Sequence, residues 1–182
     1  MKTRPIFGSL VIASSALFAG ILSAQVSTER PSSARSETMI KEVSRRDRNF
    51  LEKAAHSGHK EVAVSQAVAS RLVTPGAKDF AQTMISDHTA ANTELQALAT
   101  KRGVTLPMPD NKAQNAWAKN KADDDLDEDY LEEMIDDHED AVALFKRGAK
   151  SKDPEIAAFA SKILPKLEHH LQTARTLEKA LD

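Results

Sequence analysis

A chain of 182 residues, 41% hydrophobic and 29% charged, is long enough for one domain with a packed core. It has no cysteine, which excludes a disulfide scaffold. Its net charge of −2, with no basic stripe, argues against nucleic acid as a partner.

Lys2 and Arg4 precede a run of apolar and small residues from Ile6 to Leu22, and Leu22-Ser23-Ala24 places a small residue at a cleavage position. The run is short for a membrane span, no basic stop-transfer cluster follows it at once, and no cysteine is near for a lipid anchor. Residues 1–24 therefore read as a cleaved signal peptide, 25–43 as a flexible Ser-rich leader and 44–182 as the folded domain. The location this implies is periplasmic or otherwise exported, with no transmembrane span in the mature chain. Cleavage after Ala24 leaves 158 residues, and loss of Lys2 and Arg4 takes the net charge to −4.

Four amphipathic segments follow. The first runs from about Ser44 to Val73, with Phe50, Ala54, Gly58, Glu61, Ser65, Val68 and Leu72 on one stripe at about 100° per residue. The second opens at Thr74-Pro75, a cap followed by proline at the first helical position. Its stripe holds Phe80, Met84, His88, Ala91, Leu95 and Leu98, and it stops near Gly103. The third begins after Asp123-Asp124-Asp125, where negative charge suits a helix N-terminus, and aligns Tyr130, Met134, His138, Ala141 and Phe145. The fourth opens with Asp153-Pro154 and aligns Ile156, Phe159, Ile163, Leu167, His170, Ala174 and Leu177. Sustained apolar-polar alternation, the signal for a strand, is absent.

The halves resemble one another. Phe50-Leu51-Glu52-Lys53 matches Tyr130-Leu131-Glu132-Glu133 at an offset of 80 residues, and Pro75 with Phe80-Ala81 matches Pro154 with Phe159-Ala160 at 79. Two helix hairpins are expected, joined by a connector from Val104 to Ala122 that carries Pro107, Pro109 and Trp117. A helix of about 26 residues is about 39 Å long. The connector can cross that distance, and its length favours a crossover over a simple up-down order. The expected fold is all-α: a ferritin-like four-helix bundle built from two hairpins with a long connector.

The first hairpin, through Phe50…Glu61-Val62 and Phe80-Ala81…Met84-Ile85-Ser86-Asp87-His88…Asn92, resembles an exported bacterial family known as domain of unknown function 4142. The second is similar through Asp129-Tyr130-Leu131…Met134…His138…Leu144-Phe145 and Phe159-Ala160…Leu164-Pro165-Lys166-Leu167…His170-Leu171. The resemblance spans about Asp47 to Leu177. It implies a ferritin-like bundle in the bacterial envelope but no established activity. Members are often labelled outer-membrane proteins, a label this chain supports with neither β-barrel alternation nor a lipid anchor.

One polar residue per helix interrupts the stripes: Glu61, His88, His138 and His170. Buried carboxylates and imidazoles are costly unless satisfied. Counting residues from the hairpin turns puts all four near mid-height of the bundle. Three imidazoles and a carboxylate are donors for one divalent transition metal, Zn, Fe, Mn or Cu, and nitrogen-rich sites lean toward the borderline metals. Three residues before His88, His138 and His170 stand Ile85, Ile135 and Leu167, where a di-iron centre needs Glu, so at most one ion is expected. The same four residues also suit a second reading, a polar core network without metal in a non-catalytic binding or structural bundle.

His56, His59 and His169 point away from the stripes and read as solvated. Asp123, Asp125 and Asp127 mimic the start of a calcium loop, but Glu128 stands where glycine is needed and Met134 where the bidentate Glu belongs. No Ser-His-Asp order, Gly-rich phosphate loop or paired catalytic acids are present, so no reaction and no protein partner is legible.

Overall fold

The computed structural model describes residues 42–109 and 111–181, and the signal peptide and nearly all of the leader lie outside them. Five helices and no strand occur among the described residues: α1 (Arg45–Val68), α2 (Pro75–Lys101), α3 (Lys112–Asn120), α4 (Leu126–Gly148) and α5 (Pro154–Glu178). None is long and apolar enough to cross a membrane.

Short polar side chains set the starts. Ser44 accepts from the amide of Asp47, Thr74 from that of Ala77, and Asp153 from those of Glu155 and Ile156, each satisfying donors the helix leaves free. Pro75 and Pro154 occupy first-turn positions where no amide is missed. Gly103, at φ 66°, turns the chain out of α2, and the amide of Val104 returns to the carbonyl of Ala99. α1 stops at Val68, short of the Val73 expected from its stripe, because Arg71 and Leu72 fold back in a turn onto the carbonyl of Val68.

α1 packs on α2 and α4, and α5 packs on α4 and α2. Two apolar clusters fill the interior. One joins the first half of α1, the second half of α2, the second half of α4 and the first half of α5, with Leu51, Leu95, Ala141 and Ile156 among its members. The other joins the opposite halves through Val64, Met84, Leu131 and Ala174. Within each hairpin, α1 with α2 and α4 with α5, the helices therefore run antiparallel. Burying each of the larger apolar side chains contributes roughly 1.5–3 kcal/mol.

The connector leaves through the first cluster at Val104 and Leu106 and rejoins through the second at Ala118 and Leu126. Part of it is helical, a correction to the expected four. α3 lies on α1 because Arg71 binds the carbonyls of Ala118 and Lys121 and the carboxylate of Asp123, tying down the end of the short helix. Nine residues with a single buried position, Ala118, are too few to declare themselves by periodicity.

The ends of the repeat carry matching ties. Asp47, in the first turn of α1, accepts from Ser151 Oγ in the α4–α5 turn at 2.6 Å. Asp127, 80 residues on, accepts from the amides of Val73 and Thr74 in the α1–α2 turn at 2.8 and 2.7 Å. Each half thus holds the turn of the other with an equivalent carboxylate. That also accounts for Asp127 in place of a calcium loop.

Candidate metal centre

Between the two apolar clusters lies a polar layer. Glu61 on α1, His88 on α2, His138 on α4 and His170 on α5 are 1%, 5%, 0% and 2% exposed. The three imidazoles form a near-regular triangle, with every pair of ring centroids 5.4 Å apart. One ring nitrogen from each lies within 4.8 Å of those of the other two.

Each imidazole is fixed from behind by a different acceptor. Glu61 Oε2 lies 2.7 Å from His88 Nδ1. The carbonyl of Met134, one turn earlier on α4, lies 2.8 Å from His138 Nδ1, and Glu61 Oε1 stands 3.8 Å from that same nitrogen. Asp87 Oδ2 lies 2.9 Å from His170 Nε2. A nitrogen that donates to such an acceptor leaves the opposite nitrogen of a neutral ring with a free lone pair. Those opposite atoms, His88 Nε2, His138 Nε2 and His170 Nδ1, are all buried and have no hydrogen-bond partner.

Electrostatics divides the three. Burial, aided by the charge of His88, pushes His138 below the ordinary histidine range. Burial and its two histidine neighbours push His170 down to about 4, against the pull of Asp87. Both shifts favour the neutral ring, the form that can coordinate a metal. For His88 burial acts the same way, but the charge and hydrogen bond of Glu61 outweigh it and raise its pKa. Burial would raise Glu61 in turn, and His88 overrides this and holds it low.

All four residues read from the stripes are therefore in one layer, though not in one role. The three imidazoles gather, whereas Glu61 stands at the outer nitrogen of His88. Asp87 has a matching role behind His170 and is missing from the sequence reading. It sits about 100° round α2 from the stripe, on the face turned to α5, where Lys166 binds it at 2.7 Å one turn before His170. An acidic residue beside a striped histidine, facing Lys and His four apart, is the signal that could have found it. Of the remaining histidines, His56 and His169 are exposed and His59 is half-buried.

The repeat does not extend to this site. Shifted by 80 or 79 residues, Glu61, His88, His138 and His170 fall on Ala141, Leu167, Gly58 and Ala91. Those four counterparts line a cavity of about 20 Å³ beside Glu61 and His88. One half of a symmetric pair carries the donors and the other carries small or apolar residues, which is room for one ion's ligands and not two.

Five helices among the described residues, enclosing a triangle of buried imidazoles, define the class. The family follows from sequence: the chain belongs to the family described as Domain of unknown function (DUF4142), whose model matches residues 31–177. No functionally curated protein is significantly similar. Among solved structures, the crystal structure of a DUF305 fragment from Deinococcus radiodurans matches with a TM-score of 0.68 at 13% identity, over 76% of this chain and 99% of that one. The crystal structure of a conserved hypothetical protein, rv2844, from Mycobacterium tuberculosis matches at 0.61 and 16% identity, over 72% and 96%. At these identities the likeness is one of fold.

Proposed function

We propose that this is an exported mononuclear metal-binding protein of the bacterial envelope, with its four long helices in a ferritin-like order and its ion on His88, His138 and His170. The observation that carries the reading is the set of three buried, unpartnered ring nitrogens whose opposite nitrogens are all held by outer acceptors. Leaving each lone pair unmatched costs about 1–3 kcal/mol. A single water has two hydrogens and cannot meet three lone pairs, whereas one cation meets all of them after small ring rotations. Outer carboxylates and carbonyls are the usual supports of metal-bound imidazoles, fixing the tautomer and raising basicity. Three nitrogen donors favour Zn²⁺ or copper over harder ions. Enclosure in a buried layer would keep such an ion from reacting in solution, a sequestering or redox-protective role. The crossover path of the connector supports the ferritin-like order, and the charged start and apolar run before Ala24 support export.

The Glu61–His88 pair favours a second reading. If His88 carries a proton, its Nε2 donates rather than accepts, and the layer becomes a polar network without metal. Thermal denaturation of the mature chain without a histidine tag separates the two. A site ligand raises the melting temperature by mass action, and the gain should fade as pH falls through the imidazole range. His88→Ala should abolish the metal-induced shift and His56→Ala should retain it. A shift that survives loss of both His88 and His138 excludes this site, and no shift with any divalent ion leaves the network reading.

A further inference from the structure

A centre this deeply buried needs a way in, and the groups beside it form one. The cavity of about 20 Å³ touches Glu61 and His88 of the centre, but not His138 or His170, together with Ser57, Gly58 and Asn92. The rest of its wall is apolar, with Phe145, Phe159 and Leu167 among it. That volume is about the space of one water or one small ion. Asn92, half-buried on α2, lies against Gly58 of α1. Its side chain occupies the place where a residue at 58 would carry its Cβ, which would come within 3.1 Å of Asn92 Cγ and closer still to Oδ1. Only glycine lets this amide lie there.

On the outer side Asn92 Nδ2 donates to His59 Nδ1 at 3.5 Å, a long bond that is easily broken. His59 belongs to a surface recess of about 100 Å³ shared with His56, Met108 and Lys60, whose ammonium is paired with Glu133 and Asp137. Met108 is 87% exposed between Pro107 and Pro109, unusual for so apolar a side chain. His56 and His59 lie one turn apart on α1, so two imidazoles and a thioether border one recess. Those donors suit the same borderline and soft ions as the buried triangle.

We propose that the recess of His56, His59 and Met108 captures the metal ion, and that Asn92 gates its passage through the cavity to the histidine centre. This rests on the metal-binding reading above. The ion exchanges surface imidazoles for buried ones without the helices separating. Gly58 gives Asn92 room, and Asn92 moves aside by rotating about its own side-chain bonds.

Stopped-flow uptake of Co²⁺ by the metal-free mature chain tests the route, with visible absorption as the signal and the dissociation constant measured in parallel. Asn92→Ala opens the gate and should speed both uptake and release by about tenfold, leaving affinity within about twofold. Asn92→Leu plugs it with an apolar group of similar size and should slow both by about tenfold. The double variant His56→Ala with His59→Ala should slow capture at low Co²⁺ without changing affinity. Opposite effects from the two Asn92 variants distinguish gating from loss of stability, which would speed both. Rates equal to the parent in all variants, or acceleration in both Asn92 variants, overturn the route while the centre stands. Absence of Co²⁺ binding to the parent chain overturns the centre and the route with it.

Discussion

Glu61 Oε2 and His88 Nδ1 stand 2.7 Å apart, the carboxylate side chain 1% and the imidazole 6% exposed, so a carboxylate on α1 orients an imidazole on α2. Glu61→Gln keeps an acceptor oxygen but removes the charge. Loss of such an outer partner weakens metal affinity by about 10–100-fold. Isothermal titration should show that loss with the stoichiometry still one ion per chain. An unchanged affinity would remove Glu61 from the support of the centre, and loss of all binding would make it a ligand.

Asp87 should count in both stability and affinity. It is partly exposed and shared between His170 and Lys166, so its ion pairing adds roughly 0–1 kcal/mol to the fold. Asp87→Ala should nonetheless lower the metal-free melting temperature, because the buried Nε2 of His170 loses its acceptor at a cost of about 1–3 kcal/mol. It should also weaken metal binding about 10–100-fold, because that acceptor fixes the tautomer of His170. Equal affinity in parent and variant would show that His170 orients without it.

What the sequence carried was the inward face of each long helix. The 3.6-residue stripe put Glu61, His88, His138 and His170 inside, and counting from the turns put them at one level. Contacts across helices were illegible for a physical reason: a stripe says which way a side chain points and nothing about what it meets. Asp87 lies off its stripe and reaches His170 only because α2 and α5 are neighbours. The Met134 carbonyl is a backbone group that any residue there would supply. α3 is held by Arg71, about 50 residues earlier in the chain. Gly58 read as one more small residue of a stripe, yet the absence of its Cβ is what lets the Asn92 side chain lie against α1.

Asp127 links stability to acid. Burial would raise its carboxyl, but hydrogen bonds from the side chain and amide of Thr74 and the amide of Val73 outweigh this and hold it below the usual carboxylate value. A lowered folded-state pKa stabilises above the unfolded value of about 3.9 and loses that contribution as pH falls through the folded value. Asp127→Ala should therefore cost about 1 kcal/mol in urea unfolding at pH 7, as the amides of exposed Val73 and half-buried Thr74 exchange a charged acceptor for water. The gap between parent and variant should narrow below about pH 4. A gap that is constant with pH would assign the cost to packing instead.

Gly148 tests the aromatic end of the core. A Cβ there would lie 2.7 Å from Phe50 Cζ and 2.8 Å from Cδ2, against a ring that is itself packed edge-on to Phe145 at 5.2 Å. Phe145 in turn rests on Phe159 at 6.0 Å, so the rings have little room to yield. Gly148→Ala should cost about 1–3 kcal/mol by overpacking, although alanine suits a helix better than glycine. Gly103→Ala should also destabilise, by about 1 kcal/mol, but through its positive φ, since nothing lies within 4 Å of the added carbon. The two causes separate in a double-mutant cycle with Phe50→Leu, which shrinks the obstructing ring. Coupling of about 0.5 kcal/mol or more should appear with Gly148→Ala and none with Gly103→Ala. Additivity at Gly148 would mean that the backbone, and not the ring, resists the methyl group.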